Sequence, residues 1–425
     1  MLPGNGLPNT FSIIDKAHHS KRRRIFAYGF SEAALKSYEK VIQGHIDKFC
    51  QVLTKNADSE GWGQIVDMSK TCTGFALDTL GALAFSETFG ALDGDKNSEY
   101  IFSAIVSAGR SMGVLIHLPI FGRSNFLFGM RWLFQRLILP LEDIKNIQNY
   151  LSLVAATAKR RRDREDTQAR GIEKENSPEK DIFHYILRAK DPVSGEPFTP
   201  EELSAEARAC IFAGTDTTSS TLAATLYWLS SAPEAFAKLQ AELHSVFTSE
   251  DDIHTGSKLN SCLYLRRVVE EVLRISGPVG GILWREATKD HVIEGYRLPR
   301  GAEAGVAIYA IHHNPRYFPD PHVFNPDRWD DSIVGAQSVA IAKSAWMPFL
   351  TGPRSCIGRS LALMEIHLTI ARIVFSYEMK MDESRLADLQ VTVDDGYREF
   401  ETKDQLAAET IGPFLQFRKS NREIC

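Results

Sequence analysis

The sequence predicts a mainly α-helical fold with a small β region, in a single domain spanning residues 1–425. Apolar residues recur at spacings of three and four from about Ser31 to Lys190, which is the helical period. A capping box at Thr199, followed by proline, opens a further long helix. Between Ile282 and Val306 the pattern changes to short runs bounded by turn residues, which indicates strands.

Composition narrows the class of protein. Hydrophobic residues make up 44% of the chain and charged residues 24%, the usual balance of a globular protein. The formal net charge of −5 gives no electrostatic reason to expect nucleic-acid binding. The six cysteines have no paired spacing, so we expect no disulfide framework. The most apolar long window, Cys210 to Ser230, contains Asp216 and five threonines, which makes it a poor membrane span.

The first helical stretch leads into a strongly charged segment, Lys159 to Lys180, which contains the runs KRRRDRED and GIEKENSPEK. This pattern predicts a fraying helix end followed by a solvated loop.

The central helix is predicted over residues 199–231, which corresponds to about 45 Å. It ends before Pro233, because proline cannot continue a helix. Its middle, Ala213 to Thr218, contains glycine, aspartate and threonines, all poor helix formers. Such a conflict between local propensity and a long buried helix is typical of a functional site.

The remaining elements follow in order. A helix is predicted over Leu263 to Ile275, and a long ordered loop rich in Pro, Asp and aromatics over Asn314 to Leu350. A last helix extends from near Cys356 to about Tyr377, and a small hairpin is expected within Val391 to Phe417.

Residues 349–358 form a cysteine loop with the properties of an iron-thiolate site. Gly352 and Gly358 allow the chain to turn tightly around the sulfur of Cys356. Cys356 comes at the start of the last helix, where the helix dipole stabilises a thiolate. Arg354 can bind a carboxylate in bidentate fashion, and Phe349 can shield the sulfur from water. The alternative is that Cys356 is a small buried core residue.

The run from Phe349 to Gly358 resembles the haem-binding signature of the cytochrome P450 family at all five fixed positions. The resemblance implies the fold of that family, with haem b bound between the central helix and Cys356. Cys356 would be the axial ligand of the iron, with Phe349, Gly352, Arg354 and Gly358 completing the cofactor loop.

The stretch from Ala213 to Thr217 resembles the oxygen-activating part of the central helix in that family. The resemblance implies that its small residues leave room for dioxygen. Thr217 would donate a hydrogen bond to the oxygen, and Asp216 would relay protons. Taken alone, the same residues could produce only a helix kink.

Glu271 and Arg274 resemble the family's Glu-x-x-Arg pair, and the segment containing Pro326 and Arg328 resembles its Pro-x-Arg segment. The resemblance implies a buried carboxylate between two guanidinium groups. We expect this network to be structural and to hold the loop that precedes the cysteine.

His19 and Arg23 precede Phe30 and resemble the pair that holds the haem propionates in family members. Arg285 is a further propionate candidate. A solvated basic face is the alternative. Neighbouring residues compete for the roles of the pair: His18, Arg22 and Arg24.

The resemblance implies a monooxygenase that inserts one oxygen atom from O2 into a lipophilic small molecule. Within the family, the sequence resembles the fungal microsomal members. This implies that the substrate is an intermediate of secondary metabolism and that the protein is located at the cytoplasmic face of the endoplasmic reticulum membrane. Electrons would come from NADPH through a flavoprotein reductase, and the enzyme would be a monomer. The expected pocket residues are Phe212, Ala213, Val279 to Ile282 and a residue near Phe400.

One departure from the family's pattern is the short segment ahead of His19. Family members carry a membrane anchor and the first strands and helices there. We therefore expect an unpaired strand edge within Ile282 to Val306 and a cavity open beside residues 1–15. Two alternatives follow: a truncated chain that binds haem without catalytic activity, and an oxygen-independent peroxide isomerase or dehydratase. The intact Asp216-Thr217 pair disfavours the second alternative.

Overall fold

The computed structural model describes residues 7–94, 96–117, 140–169, 180–191, 193–392 and 397–420. Helices dominate these ranges, and the strands are short. The helices are α1 (Lys16–Ala27), α2 (Glu32–Leu53), α3 (Met68–Phe85), α4 (Lys96–His117), α5 (Leu141–Ala169), α6 (Ile182–Leu187), α7 (Pro200–Ser231), α8 (Pro233–Val246), α9 (Ser257–Ser261), α10 (Leu263–Ile275), α11 (Ile308–His312), α12 (Asp331–Val334), α13 (Ala336–Ala345) and α14 (Arg359–Ser376).

The strands form small antiparallel units. They are β1 (Val66–Asp67), β2 (Arg285–Glu286), β3 (His291–Ile293), β4 (Tyr296–Leu298), β5 (Glu303–Ala304), β6 (Tyr377–Met381), β7 (Gln390–Thr392), β8 (Arg398–Phe400), β9 (Lys403–Gln405), β10 (Ala407–Glu409) and β11 (Phe414–Lys419). One sheet has the order β1-β11-β6, and the pairs β2-β5, β3-β4, β7-β8 and β9-β10 each have two strands. The prediction of a mainly helical fold with a small β region is confirmed.

The central helix α7 begins and ends as predicted. The Thr199 hydroxyl accepts from the backbone N–H of Glu202 at 3.2 Å, and the Glu202 carboxylate accepts from the backbone N–H of Thr199 at 2.9 Å. This reciprocal cap satisfies two N–H groups that a helix start otherwise leaves unpaired. Most of the helix is buried, and it packs against α3, α5, α10 and α14. The helix therefore forms the centre of the core around which the site is built.

The interpretation of Lys159 to Lys180 as a fraying helix end and a solvated loop is wrong for its first part. Helix α5 continues to Ala169, and Arg161 within it is only 6% exposed. Its Nη1 atom lies 2.9 Å from the Glu165 carboxylate, and its Nε lies 2.5 Å from the carboxylate of Asp181. The buried guanidinium group of Arg161 needs these carboxylates, because a buried cation without a nearby anion destabilises the folded protein. Residues 170–179 lie outside the described ranges.

The segment Asn314 to Leu350 contains more helix than the loop we expected. Two helices, α12 and the ten-residue α13, lie within it. Val339, Ala342 and Ala345 of α13 are buried, and α13 packs near Trp329. This helix depends on tertiary packing, because a single short apolar face is a weak sequence signal.

The strands within Ile282 to Val306 are each paired with one partner, so each of the two pairs keeps an open edge among the described residues. Apolar side chains on β3 and β4 are exposed: Val292, Ile293 and Tyr296.

The opening that we expected beside residues 1–15 is partly filled. Asn9 donates to the carbonyl of Ala205 at 3.3 Å and Thr10 binds Glu206, which ties this segment to α7. None of the helices in the described ranges combines the length and apolar character that crossing a bilayer requires.

Candidate functional site

The cysteine loop turns around Cys356 through backbone hydrogen bonds. The N–H of Cys356 donates to the carbonyl of Phe349 at 2.8 Å, and the N–H of Ser355 donates to that of Gly352 at 3.0 Å. Gly352 has φ +70°, a left-handed conformation that glycine adopts without strain. Helix α14 starts three residues beyond the cysteine, at Arg359. The loop therefore presents the sulfur at the N-terminal end of a long helix, as the sequence predicted.

Cys356 differs from the other described cysteines in its exposure. Cys50, Cys72 and Cys262 are buried and Cys210 is half-buried, whereas Cys356 is exposed. This excludes the alternative that Cys356 is a small core residue. The nearby protein still partly desolvates the thiol, which raises its pKa, while the backbone N–H groups of Gly358 and Arg359 and the positive charge of Arg23 act in the opposite direction. An added positive charge at the open side, such as a metal ion, would favour the thiolate further.

A basic cluster is formed by His19, Arg23, Arg285 and Arg354. Burial and the positive charges of Arg354 and Arg23 lower the pKa of His19, which is only 4% exposed. Burial and the charges of Arg285 and Arg23 lower the pKa of Arg354. Among the described residues, Arg354 donates to the Ile14 carbonyl at 3.3 Å, and Arg285 donates to the carbonyls of Leu283 and Trp284. Within the described ranges no carboxylate forms an ion pair with these three arginines, so the cluster is suited to a bound anion.

The residues that competed with His19 and Arg23 have other surroundings. Arg22 is buried and lies 2.9 Å from Asp191 and 3.2 Å from Glu206. His18 Nε2 lies 3.5 Å from Asp191. Both side chains therefore lie beside acidic residues, and Arg24 is exposed. Position 23, rather than 22 or 24, shares its electrostatic environment with Arg354 and Cys356.

The middle of α7 carries the two predicted catalytic residues. Thr217 Oγ1 donates to the carbonyl of Ala213 at 2.7 Å. Burial and the negative charge of Glu409 raise the pKa of Asp216 to about 7. A carboxyl group with that pKa exchanges protons readily near neutral pH. Ala213 is exposed although most of the helix is buried, so an open space borders the helix at this point.

Gly214 serves a packing purpose in the described structure. A Cβ atom at this position would lie 2.9 Å from Leu80 Cδ2, which is too close for an ordinary contact. The glycine therefore permits the close approach of α3 and α7. The resemblance had attributed the small residues of this stretch to room for dioxygen; Ala213 borders the open space, whereas Gly214 faces a neighbouring helix.

An apolar cavity of about 120 Å³ lies beside Thr217. The pocket prediction holds for Phe212, Ala213 and Val279, which line it, while Ile282 lines a small adjoining pocket. Near Phe400, Leu406 and Ala407 line the cavity, whereas the ring of Phe400 itself is buried against Tyr227 at a centroid distance of 4.6 Å. Several further lining residues were not predicted from the sequence: Phe11, Ala108, Tyr150, Leu151, Arg208, Ala209 and Leu283.

Glu271 is the centre of a buried ionic network. Its carboxylate accepts from Arg274 at 2.8 and 3.0 Å and from Arg328 Nε at 3.2 Å. Trp329 Nε1 and the backbone N–H of Asn325 also donate to it, each at 3.0 Å. Burial opposes ionisation of Glu271, but the two arginines outweigh it and keep the pKa of the carboxyl below its ordinary value. The network joins α10 to the segment before the cysteine loop.

His313, His322 and Glu399 are the one group of three potential metal ligands among the residues that the structure describes. Hydrogen bonds already account for their arrangement. His322 Nδ1 lies 2.7 Å from Glu399, and the Tyr309 hydroxyl donates to the same carboxylate at 2.9 Å. We assign no metal to this group.

The site residues fit a haem group. An exposed thiol lies at the start of a helix, a cluster of cations forms no ion pair with a carboxylate of the described ranges, and the central helix borders an open space at Ala213. A thiolate at such a position can bind a porphyrin iron, and cations at this distance from it can bind the two propionates.

Comparison with known proteins agrees with this chemistry. The sequence model of the family described as Cytochrome P450 matches residues 8–392. The chain belongs to the cytochrome P450 family. It is 32% identical over 425 residues to a cytochrome P450 monooxygenase of Gibberella zeae, an alignment that covers 98% of this chain and 93% of that protein. It is 35% identical to the cytochrome P450 monooxygenase poxM of Penicillium oxalicum, covering 98% of this chain and 75% of that protein.

A solved cytochrome P450DA heme domain has the same fold, with a TM-score of 0.69, 22% sequence identity and coverage of 98% of this chain and 80% of that one. The chain is therefore a cytochrome P450 enzyme of the monooxygenase class that uses haem iron and O2, together with a substrate and a redox partner.

Proposed function

We propose that this cytochrome P450 holds haem b through the thiolate of Cys356 and inserts one oxygen atom into a lipophilic intermediate of fungal secondary metabolism. The observation that carries the proposal is the exposed thiol of Cys356 in a loop near Arg23 and Arg354, two cations that form no ion pair with any described carboxylate. The similarity to fungal cytochrome P450 monooxygenases supports the reaction class, and the substrate class follows from the resemblance of the sequence to fungal microsomal members. We further propose that the chain is a single-domain monomer.

In this proposal the cofactor loop would bind the haem iron and the basic cluster would bind the haem propionates. The Cys356 thiolate would bind the iron, with Gly352 and Gly358 shaping the turn and Phe349 beside the sulfur. Arg354, Arg285, Arg23 and His19 would bind the propionates, because a carboxylate compensates the mutual repulsion of these groups. The bound haem supplies dioxygen activation, which the electron-rich thiolate favours.

Thr217 and Asp216 would deliver protons on the cavity side. Asp216, with a pKa of about 7, can hold a proton on its carboxyl at neutral pH and release it to a neighbouring hydroxyl. Thr217 Oγ1 lies at the cavity wall, and its hydrogen bond to Ala213 O positions the hydroxyl. The apolar wall would exclude bulk water, so that protons reach the reacting oxygen through this pair.

An oxygen-independent isomerase or dehydratase has weaker support. Such an enzyme needs no proton relay, whereas burial and Glu409 hold the pKa of Asp216 in the range that suits one. We propose a flavoprotein reductase as the source of electrons from NADPH, and the cytoplasmic face of the endoplasmic reticulum membrane as the location, as in the fungal microsomal members that the sequence resembles.

The test of this function is the substitution Cys356→Ser. A hydroxyl is a harder and weaker ligand than a thiolate, so we expect loss of the red-shifted Soret band of the reduced, carbon-monoxide-bound protein and loss of NADPH-dependent product formation. Cys262→Ser is the matched control, since Cys262 is buried elsewhere in the core. A Cys356→Ser protein that keeps both the band and the activity would show that the assignment of the axial ligand is wrong.

A further inference from the structure

The wall of the cavity beside Thr217 is apolar apart from one charged side chain. Arg208 lines it together with Phe212, Val279 and Leu406. Arg208 is only 8% exposed, and its Nε atom is buried without a hydrogen-bond partner. Burial lowers the pKa of the guanidinium group, although the nearby Tyr150 and Glu206 oppose this. A cation in such a position is costly unless an anion compensates it.

Among the described residues, no carboxylate forms an ion pair with Arg208. Glu206 lies two residues away on α7, and residues at this spacing do not face each other on a helix. Its carboxylate already accepts from Thr10 N at 2.9 Å and from Arg22 Nη1 at 3.2 Å. The Tyr150 hydroxyl donates to the backbone carbonyl of Arg208 at 2.8 Å, so this hydrogen bond does not involve the guanidinium group.

Within the described residues the Arg208 side chain makes no ion pair and no hydrogen bond. The longest segment outside them, residues 118–139, contains no aspartate or glutamate. Since the described residues pair no acidic group with Arg208, a ligand is the candidate for its anion.

We propose that Arg208 binds a carboxylate of the substrate, so that the substrates of this enzyme are elongated lipophilic carboxylic acids. This inference rests on the proposed function and specifies its substrate class. One guanidinium binds one carboxylate through two parallel hydrogen bonds. Arg208 is also the single cation among the described residues that line the cavity, which favours a monoanion over a phosphate dianion.

The spacing of residues on α7 sets where such a molecule would be oxidised. Arg208 and Thr217 are nine residues apart, which is about 13.5 Å along the helix axis. Ala209, Phe212 and Ala213 line the cavity between them. A carboxylate held at Arg208 thus places the far end of an extended molecule beside Thr217. The carbon that is oxidised is remote from the carboxylate, and a short acid cannot reach both positions.

Substrate-induced spectral titration of the haem-loaded enzyme tests the inference with dodecanoic acid and methyl dodecanoate as probes. We expect the wild-type enzyme to bind the acid at least about tenfold more tightly than the ester. Arg208→Met, which keeps much of the side-chain volume, should abolish this preference by weakening acid binding alone. Arg208→Lys, which keeps a point charge without the planar fork, should retain part of it. Arg160→Met is the control, because Arg160 is exposed and paired with Glu87.

Equal wild-type affinity for acid and ester, no saturable binding of the acid, or a preference that survives in Arg208→Met would each overturn the inference. Tighter binding of monododecyl phosphate than of dodecanoic acid would overturn the choice of a carboxylate. The reduced carbon-monoxide spectrum separates this result from a failure of the proposed function. A normal red-shifted band without acid preference rejects only the role of Arg208, whereas absence of the band in the wild-type enzyme rejects the haem-thiolate site itself.

Discussion

The hydroxyl of Thr217 makes a hydrogen bond that other threonines of α7 also make. Thr221 Oγ1 donates to the carbonyl of Thr217, and Thr225 Oγ1 to that of Thr221, each at 2.7 Å. These bonds to the preceding turn satisfy a buried hydroxyl without any catalytic role. Thr217 differs because it lines the cavity and follows Asp216, whose pKa lies near 7. Function at this position depends on surroundings rather than on residue type.

Replacing Thr217 by alanine should therefore leave haem binding intact and uncouple the reaction. We expect product formed per NADPH to fall at least roughly tenfold, with hydrogen peroxide accounting for the difference, because proton delivery by a positioned group typically contributes two or more orders of magnitude. Thr221→Ala removes an equivalent helix hydrogen bond and should change coupling little. Unchanged coupling in Thr217→Ala would remove this residue from the proton path.

The elements around the cysteine loop are held by Glu271 of α10. Its carboxylate binds Arg274, Arg328, Trp329 and the backbone of Asn325. Arg274 in turn donates to the carbonyls of His312 and Pro321, at 3.0 and 2.7 Å. Glu271 and Arg274 together thus connect α10, α11 and the segment from Pro321 to Trp329. Without it, two buried guanidinium groups would lack their anion.

Glu271→Ala should destabilise the enzyme by about 3–5 kcal/mol, which is typical of removing one partner of a buried ion pair. Thermal unfolding and haem content per chain measure the effect. Asp290→Ala is the matched control, since Asp290 and Arg297 form an exposed pair at 2.8 Å and exposed pairs contribute little to stability. Wild-type stability and full haem content in Glu271→Ala would contradict the structural role of the network.

Elements with strong local signals could be predicted from the sequence, and elements formed by distant contacts could not. The capping box at Thr199 fixed the start of α7, because both hydrogen bonds lie within four residues. Helix α13 was missed because its stability depends on packing near Trp329. Arg161 was placed in solvent because its partner Asp181 lies twenty residues away. The residues around Arg208 also come from distant parts of the chain. Nothing in the sequence therefore distinguished Arg208 from an ordinary surface arginine.

Across the whole molecule, the buried carboxyl groups differ in how they respond to pH. Burial raises the pKa of Glu365, on α14, to about 8, and its Oε1 atom has no hydrogen-bond partner among the described residues. Arginines or histidines instead hold the pKa of Glu271 and Glu399 below the ordinary value. Ionisation of Glu365 therefore opposes folding, whereas ionisation of the other two favours it.

Glu365→Gln should stabilise the enzyme increasingly as the pH rises. The folded-state pKa of Glu365 lies above the unfolded value, so the folded state binds the extra proton between about pH 4.3 and 8. The free energy of unfolding of the wild-type protein therefore falls by up to about 1.4 kcal/mol for each pH unit in that interval. Glutamine does not ionise, so the variant does not lose this stability. The difference in unfolding temperature between variant and wild type should grow from pH 5 to pH 8. Glu234→Gln, at an exposed position, should show no such trend; a pH-independent difference for Glu365→Gln would refute the assignment.

The cavity wall and the ionic network of Glu271 share no residues, and this separation bears on how such enzymes diversify. Residues that line the cavity come from distant parts of the chain: Phe11, Ala108, Tyr150, Val279 and Leu406. Exchanges among them can alter the shape available to a ligand while α10 and the cysteine loop remain anchored. Substitutions at the cavity positions can therefore change which ligands bind, with little loss of stability. Libraries for directed evolution are best confined to these positions.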